Sequence, residues 1–81
     1  MRLDKYLKVS RLIKRRTLAK EACEKGRIAI NGKTAKPSAD VSEGDLLTLH
    51  LGSRITKAKV RSLSPNGEAM FDLISEEKIR P

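Results

Sequence analysis

The run Thr17-Leu18-Ala19-Lys20-Glu21-Ala22-Cys23-Glu24-Lys25-Gly26-Arg27-Ile28-Ala29-Ile30-Asn31-Gly32 changes its hydrophobic period at its middle. Up to Lys25 the apolar residues Leu18, Ala19, Ala22 and Cys23 recur at helical spacing and predict one buried stripe. Gly26 can take the positive φ that ends a helix. Beyond it Ile28 and Ile30 alternate with Arg27 and Ala29, and Asn31-Gly32 is a type I′ turn signal. The spacing therefore predicts a helix, begun somewhere between Ser10 and Thr17, running into a hairpin. The hairpin's return strand spans Lys33 to Lys36 and stops at Pro37.

Upstream, Leu3, Tyr6 and Leu7 fall at i, i+3 and i+4, which predicts a short first helix, with Asp4 near its start and able to pair with Lys8 at i, i+4. Downstream, Pro37-Ser38-Ala39-Asp40 and Ser42-Glu43-Gly44-Asp45 read as loop or turn, and Leu46 to Leu51 as an apolar strand ending at Gly52. Ile55 to Leu63 alternates, Ser64-Pro65-Asn66-Gly67 turns, and Ala69 to Ile74 pairs back. Ser75 to Pro81 reads as a polar, frayed tail. The fold class is α+β: two N-terminal helices packed on a small, mostly antiparallel sheet. The organisation expected is a single domain over 1–81, with additional strands in 52–74 and the tail in 75–81.

The 81 residues carry a net charge of +8, and the charge is unevenly placed. The first 36 residues hold twelve Lys and Arg against three acids, Asp4, Glu21 and Glu24, whereas the remaining 45 hold six basic and seven acidic groups. A concentration of one sign repels itself unless an anion meets it, and nucleic acid is the anion expected. A domain of this size buries only about 60% of its unfolded surface, too little for a roomy catalytic pocket with its supporting residues. With no nucleophile elbow, P-loop or G-x-G-x-x-G, the chain is expected not to be an enzyme. The lone Cys23 allows no internal disulfide and fits a reducing, cytoplasmic compartment. The opening MRLDKYLKVS has no apolar stretch of a secretory signal, and no membrane partner is expected.

The basic residues Arg11, Lys14, Arg15, Arg16 and Lys20 straddle the start of the second helix, where the macrodipole is already positive. Cations there oppose helix formation by roughly 0.3–1 kcal/mol each at low salt. Such a conflict marks a functional site, and free backbone N–H groups beside guanidinium forks make a phosphate site. Arg16 and Lys20 project to one side of the apolar stripe and Lys14 beyond its other edge, with Arg2 entering from the first helix and Arg27 and Lys33 from the hairpin. Arg2, Arg11, Lys14, Arg15, Arg16, Lys20, Arg27 and Lys33 are thus the candidate RNA-binding residues. A merely solvated charged face is the competing reading, but mixed signs would serve solubility as well.

Tyr6 and Phe71 are the only aromatics, too few for a base-stacking platform, and Tyr6 lies on a buried stripe. Recognition should therefore be of backbone and shape. Cys23 reads as core filler and His50 as an ordinary strand residue. Neither has a partner at metal-ligand spacing, and no metal or cofactor is expected. Asp4 could orient Arg2 or a neighbouring Lys, although helix-start electrostatics explains it equally. A regulatory module using the basic face on an acidic protein, or a general binder of structured RNA or DNA backbone, stays open as an alternative.

Four features in order, the R-L-D-K-Y-L opening, the R-x-x-x-R-R-T-x-A-K helix start, the G-R-I-A-I-N-G hairpin and the V-x-E-G-D turn, resemble the small RNA-binding domain first known from ribosomal small-subunit protein four. The resemblance covers residues 1 to about 51, and that family's fold, with its alpha-L motif, is two helices against a short antiparallel sheet. Among its stand-alone members the chain is most similar to the short, heat-shock-protein-fifteen-like proteins of ribosome-associated quality control. That resemblance implies a non-catalytic protein that binds large ribosomal subunits obstructed by peptidyl-tRNA; a monomer is expected. It implies contacts to large-subunit rRNA and P-site tRNA. It further implies support, with a NEMF-family quality-control factor, for alanine tailing of the stalled chain at its C-terminus. It places the family's RNA-contacting arginines on Arg2 and Arg16, with Arg11 and Arg15 as neighbours.

If four to six phosphates are engaged, a plot of log affinity against log salt should have a slope of about −3 to −5, whereas a merely solvated face gives a slope near zero. Titration of labelled structured RNA across salt concentrations measures it.

Overall fold

The two apolar stripes close into helices α1 (Leu3–Val9) and α2 (Arg16–Glu24) in a computed structural model that describes residues 1–64 and 69–78. Five strands follow: β1 (Ile28–Ile30), β2 (Lys33–Thr34), β3 (Leu46–Leu51), β4 (Arg54–Val60) and β5 (Phe71–Lys78). They form one antiparallel sheet in the order β2-β1-β3-β4-β5. The architecture is the α+β arrangement expected.

The decisive stretch folds as its period demands. At the end of α2, Gly26 takes φ +72°. Its amide donates to the Cys23 carbonyl and the Arg27 amide to the Ala22 carbonyl, both at 3.0 Å. This pair of bonds is the Schellman ending, which satisfies carbonyls the helix leaves open. In the hairpin Ile30 pairs with Lys33 across Asn31 and Gly32, whose φ values of 51° and 84° are those of a type I′ turn. Asn31 also ties the hairpin to β3. Its Oδ1 accepts the Leu46 amide at 2.9 Å and its Nδ2 donates to Asp45 Oδ1 at 3.1 Å.

Register sets the two faces of the sheet. Ile28 pairs with Leu49 and Ile30 with Leu47, while Leu47 pairs with Ala58 and Leu49 with Thr56. Paired residues share a face, so Ile28, Leu47, Leu49, Ala58 and Val60 are buried toward the helices. Ile28, Leu47, Leu49 and Val60 join Leu3, Tyr6 and Leu7 of α1, Ala19, Ala22 and Cys23 of α2, and Ile13, Val41 and Met70 in a single core. The small residues of α2 leave room for α1. Tyr6 is fully buried and donates its hydroxyl to the Met70 carbonyl at 2.6 Å, joining α1 to the segment before β5.

Four expectations are corrected. Leu18 is not on the buried stripe but 49% exposed, because Ala19, Ala22 and Cys23 alone define the inward arc and Leu18 sits on its flank. Asp4 pairs not with Lys8 but with Arg2 and Arg16. The hairpin's return strand is Lys33–Thr34 rather than Lys33 to Lys36, although the Ala35 amide still donates to the Ile28 carbonyl. Ser75 to Lys78 is not a tail: β5 continues through it, with Lys57 opposite Ser75, Thr56 opposite Glu76 and Arg54 opposite Lys78. A register irregularity between Lys57 and Ala58 accommodates the extra length. The turn expected over Ser64 to Gly67 and the end of the tail fall largely outside the described residues.

Burial pushes the Tyr6 hydroxyl from its ordinary 10.0 up to about 12. The unfolded chain releases this proton near pH 10 and the folded one near 12, so the stabilisation is complete below 10 and is lost as pH rises toward 12. Tyr6→Phe should lower stability by about 0.5–1.5 kcal/mol at neutral pH. The loss stays modest because the Met70 carbonyl keeps the amides of Arg61 and Ser62. Urea unfolding at neutral and alkaline pH should also show a weaker decline in stability for the variant between pH 10 and 12.

Candidate nucleic-acid interface

The two helix starts are built in opposite ways. At α1 the first amides are closed by the loop after β2: Leu3 donates to the Ala39 carbonyl at 2.8 Å and Asp4 to the Pro37 carbonyl at 3.1 Å. The Val41 amide donates to the Met1 carbonyl, and the terminal ammonium reaches Asp40 at 2.9 Å. Arg2, the residue before α1, is thereby fixed in extended backbone. At α2, by contrast, Arg15 is the cap residue and makes no side-chain capping bond, and the first turn holds no acid. Among the described residues the amides of Arg16, Thr17 and Leu18 have no protein acceptor, which leaves them available to an anion.

Asp4 lies between the two helix starts, 3% exposed. Its Oδ1 accepts the Lys5 amide at 2.8 Å, Arg2 Nε at 3.3 Å and Arg16 Nη2 at 3.3 Å, while Oδ2 accepts Arg2 Nη2 at 3.3 Å. Burial alone would raise the pKa of this carboxyl. The bonds from Arg16, Arg2 and the Lys5 amide outweigh it and hold the pKa below the ordinary 3.8. Stability drawn from these bonds is present above 3.8 and is lost as pH falls through the lower folded value. The two arginine side chains remain about half exposed, 53% for Arg2 and 49% for Arg16.

The helical projection of the basic residues holds. Arg2 and Lys20 line an open groove of about 670 Å³ whose apolar wall includes Cys23, Ala35 and Pro37. Asp4 brings Arg16 beside Arg2 at its edge. The same groove adds Lys36, which the spacing argument missed; its position just before Pro37, at the loop that closes α1, was the available signal. On the other flank of α2, Lys14 and Arg27 line a second groove with Leu12, Leu18 and Leu51. Arg11 lies apart on a third concavity against β4 and β5, and Lys33 is exposed on the edge strand. The eight residues therefore do not form one patch. Arg2, Arg16 and Lys20 come together, Lys14 and Arg27 flank them across α2, and Arg11 and Lys33 mark separate surfaces.

Ion pairs form in both the helical and the strand parts of the molecule. On β4 and β5, Arg54 meets Glu76 at 2.8 Å, and Arg61, just past β4, meets Asp72 at 3.5 Å. Among the described residues, Arg11, Lys14, Arg15, Lys20, Arg27, Lys33 and Lys36 have no acidic partner, and neither have Lys5, Lys8, Lys57, Lys59 and Lys78. Arg11 is moreover held at φ 66°, a conformation costing a non-glycine residue roughly 1–2 kcal/mol. It is set there by Ser10, whose hydroxyl donates to the Leu7 carbonyl and accepts the Leu12 amide. Cys23 is buried, with burial the main cause of its thiol being pushed up to about 11, so it is a packed residue rather than a nucleophile. Among the described residues no group of three His, Cys, Asp or Glu converges as a metal site would require. Among the described residues no helix is long and apolar enough to cross a membrane.

A family model described as the S4 domain matches residues 1–47. A Listeria monocytogenes protein named RQC P-site tRNA stabilizing factor is 55% identical over 83 residues, covering 96% of this chain and 90% of that protein. A Bacillus subtilis protein of the same name is 50% identical and covers 98% of each chain. The trimeric structure of Vibrio cholerae Heat Shock Protein 15 matches with a TM-score of 0.83 at 31% identity, covering 93% of this chain and 82% of that one. With the domain model spanning both helices and the hairpin, and relatives this similar from end to end, the chain belongs to the S4-domain family of RQC P-site tRNA stabilizing factors.

Proposed function

We propose that this chain is a non-catalytic RNA clamp of ribosome-associated quality control in the cytoplasm. It binds a large ribosomal subunit that still carries peptidyl-tRNA, contacts rRNA and the P-site tRNA, and supports a NEMF-family factor in C-terminal alanine tailing. The observation that carries this reading is the uneven charge: the first 36 residues hold twelve Lys and Arg against three acids, whereas the remaining 45 hold six basic and seven acidic groups, and the start of α2 carries no acid in its first turn and no side-chain cap. The names of the relatives say which polyanion. The same surplus cations repel a second copy, which supports a monomer as the working form.

A clamp acts by differential affinity. It favours a tRNA position only in proportion to the extra contacts made there. The Arg2–Arg16 pair suits this task, because each guanidinium has five donors in a fixed fork and only one or two are spent on Asp4. The groove with Lys20 and Lys36 continues the positive surface from that pair. Phosphates of one strand could be held there while the open amides of α2 face another. With no aromatic platform, the contacts are to backbone and shape.

Arg16→Ala should weaken binding to tRNA-bearing large subunits by about 1–3 kcal/mol, seen as lost co-sedimentation, with rRNA or tRNA competing better than duplex DNA. Wild-type co-sedimentation by the variant would refute the site. Arg11→Gly separates binding from folding. It relieves the positive-φ strain, so thermal stability should stay level or rise by up to about 1 kcal/mol. RNA affinity should fall by about 1 kcal/mol as one phosphate-reaching cation is lost.

A further inference from the structure

We infer that Asp4, an acid inside a site for a polyanion, is a positioning residue for RNA binding: it sets the spacing and orientation of the Arg2 and Arg16 guanidinium groups and makes no contact to RNA itself. This rests on the proposed role of those two arginines. Asp4 is 3% exposed, so a phosphate cannot reach it. Its two oxygens already accept four bonds, three at Oδ1 from Arg2, Arg16 and the Lys5 amide and one at Oδ2 from Arg2, so the carboxylate is turned toward its protein donors. Arg2 comes from the residue before α1 and Arg16 from the first residue of α2. Their long side chains would otherwise sample many rotamers and spread apart as like charges. One shared oxygen, Oδ1, lies 3.3 Å from a nitrogen of each. Both forks are ordered before RNA arrives, and the cost of ordering them is removed from the binding step.

Charge counting and this geometry give opposite predictions. Asp4→Asn raises the net charge above +8, which by charge alone should tighten binding to any polyanion. If Asp4 positions the arginines, the variant should instead bind structured RNA and large subunits about tenfold more weakly, with a salt slope shallower by about one. In a chain already carrying Arg2→Ala and Arg16→Ala, adding Asp4→Asn should change nothing or tighten binding slightly. A residue needed only for folding would cost affinity equally in both backgrounds.

The measurement is RNA affinity of five proteins across salt, the wild type, Asp4→Asn, Arg16→Ala, the Arg2→Ala/Arg16→Ala pair and that pair with Asp4→Asn, with thermal unfolding in parallel. Tighter or unchanged binding by Asp4→Asn alone, while Arg16→Ala is impaired, overturns the role of Asp4 and leaves the RNA site standing. Unimpaired binding by Arg16→Ala overturns the site itself. Should Asp4→Asn not fold, NMR of the wild-type side chains decides. The Arg2 and Arg16 guanidinium protons should exchange more slowly than those of Arg11, and equal exchange overturns the proposal.

Discussion

A buried carboxylate between two helix starts is the constraint on which the rest of this molecule depends. Taking a charge out of water costs several kcal/mol unless it is paired and hydrogen-bonded. Asp4 meets that condition only if α1, α2 and the residue before α1 are all in place, since its donors come from Arg2, Lys5 and Arg16. Two guanidinium groups near one oxygen repel each other by up to roughly 2 kcal/mol at an effective dielectric near 20, less with solvent screening at this half-exposed surface. The carboxylate offsets this repulsion. The core beneath is made of short aliphatic side chains and one tyrosine, so the helix pair is seated by packing, while its polar register is set by this one acid.

The loop from Pro37 to Val41 extends the same logic. By giving its carbonyls to Leu3 and Asp4 and its Val41 amide to Met1, it satisfies α1 without any side-chain cap. Arg2 keeps its side chain for the surface. At α2 no such closure exists, and local electrostatics are unfavourable to the helix itself, with Arg15 and Arg16 at its positive end. Helix stability there has to come from Ala19, Ala22 and Cys23 packing in the core. Tertiary burial thus supports a helix start that its own sequence disfavours, which is how a binding surface can be held open in the unbound protein.

Much of this was legible in the chain because the signals are local. Gly26 and Asn31-Gly32 act within a few residues, so the end of α2 and the hairpin turn follow from backbone preference alone. The 3.6 period located α1 and α2, the period of 2 located β1, and an apolar run bounded by Gly52 located β3. Arg16 and Lys20 were placed on one flank of α2 by the same arithmetic. What was not legible depends on partners distant in sequence. Ser75-Glu76-Glu77-Lys78 is polar on both faces and has no strand period; it is a strand because β4 offers it a backbone ladder and Arg54 a partner for Glu76. Asp4 invited a local pairing with Lys8, and only the crossing of α1 and α2 reveals Arg16, twelve residues away. Lys36 joins the groove through a loop whose course no periodicity encodes.

The acidic β5 has an electrostatic consequence for the whole surface. Asp72, Glu76 and Glu77 lie beside β4, whose own charges are Arg54, Lys57 and Lys59, and with six basic and seven acidic groups in the last 45 residues the unbalanced positive charge is concentrated in the helices and the hairpin. A uniformly basic protein would grip any polyanion in many orientations, since counterion release rewards every phosphate alike. Concentrating the charge gives the encounter a direction, because the helix and hairpin part of the molecule attracts most strongly. Fixing Arg2 and Arg16 on Asp4 then adds geometric demand to that attraction. With little capacity to read bases, selectivity for a folded RNA must come from this combination of a polarised field and two forks at a set spacing.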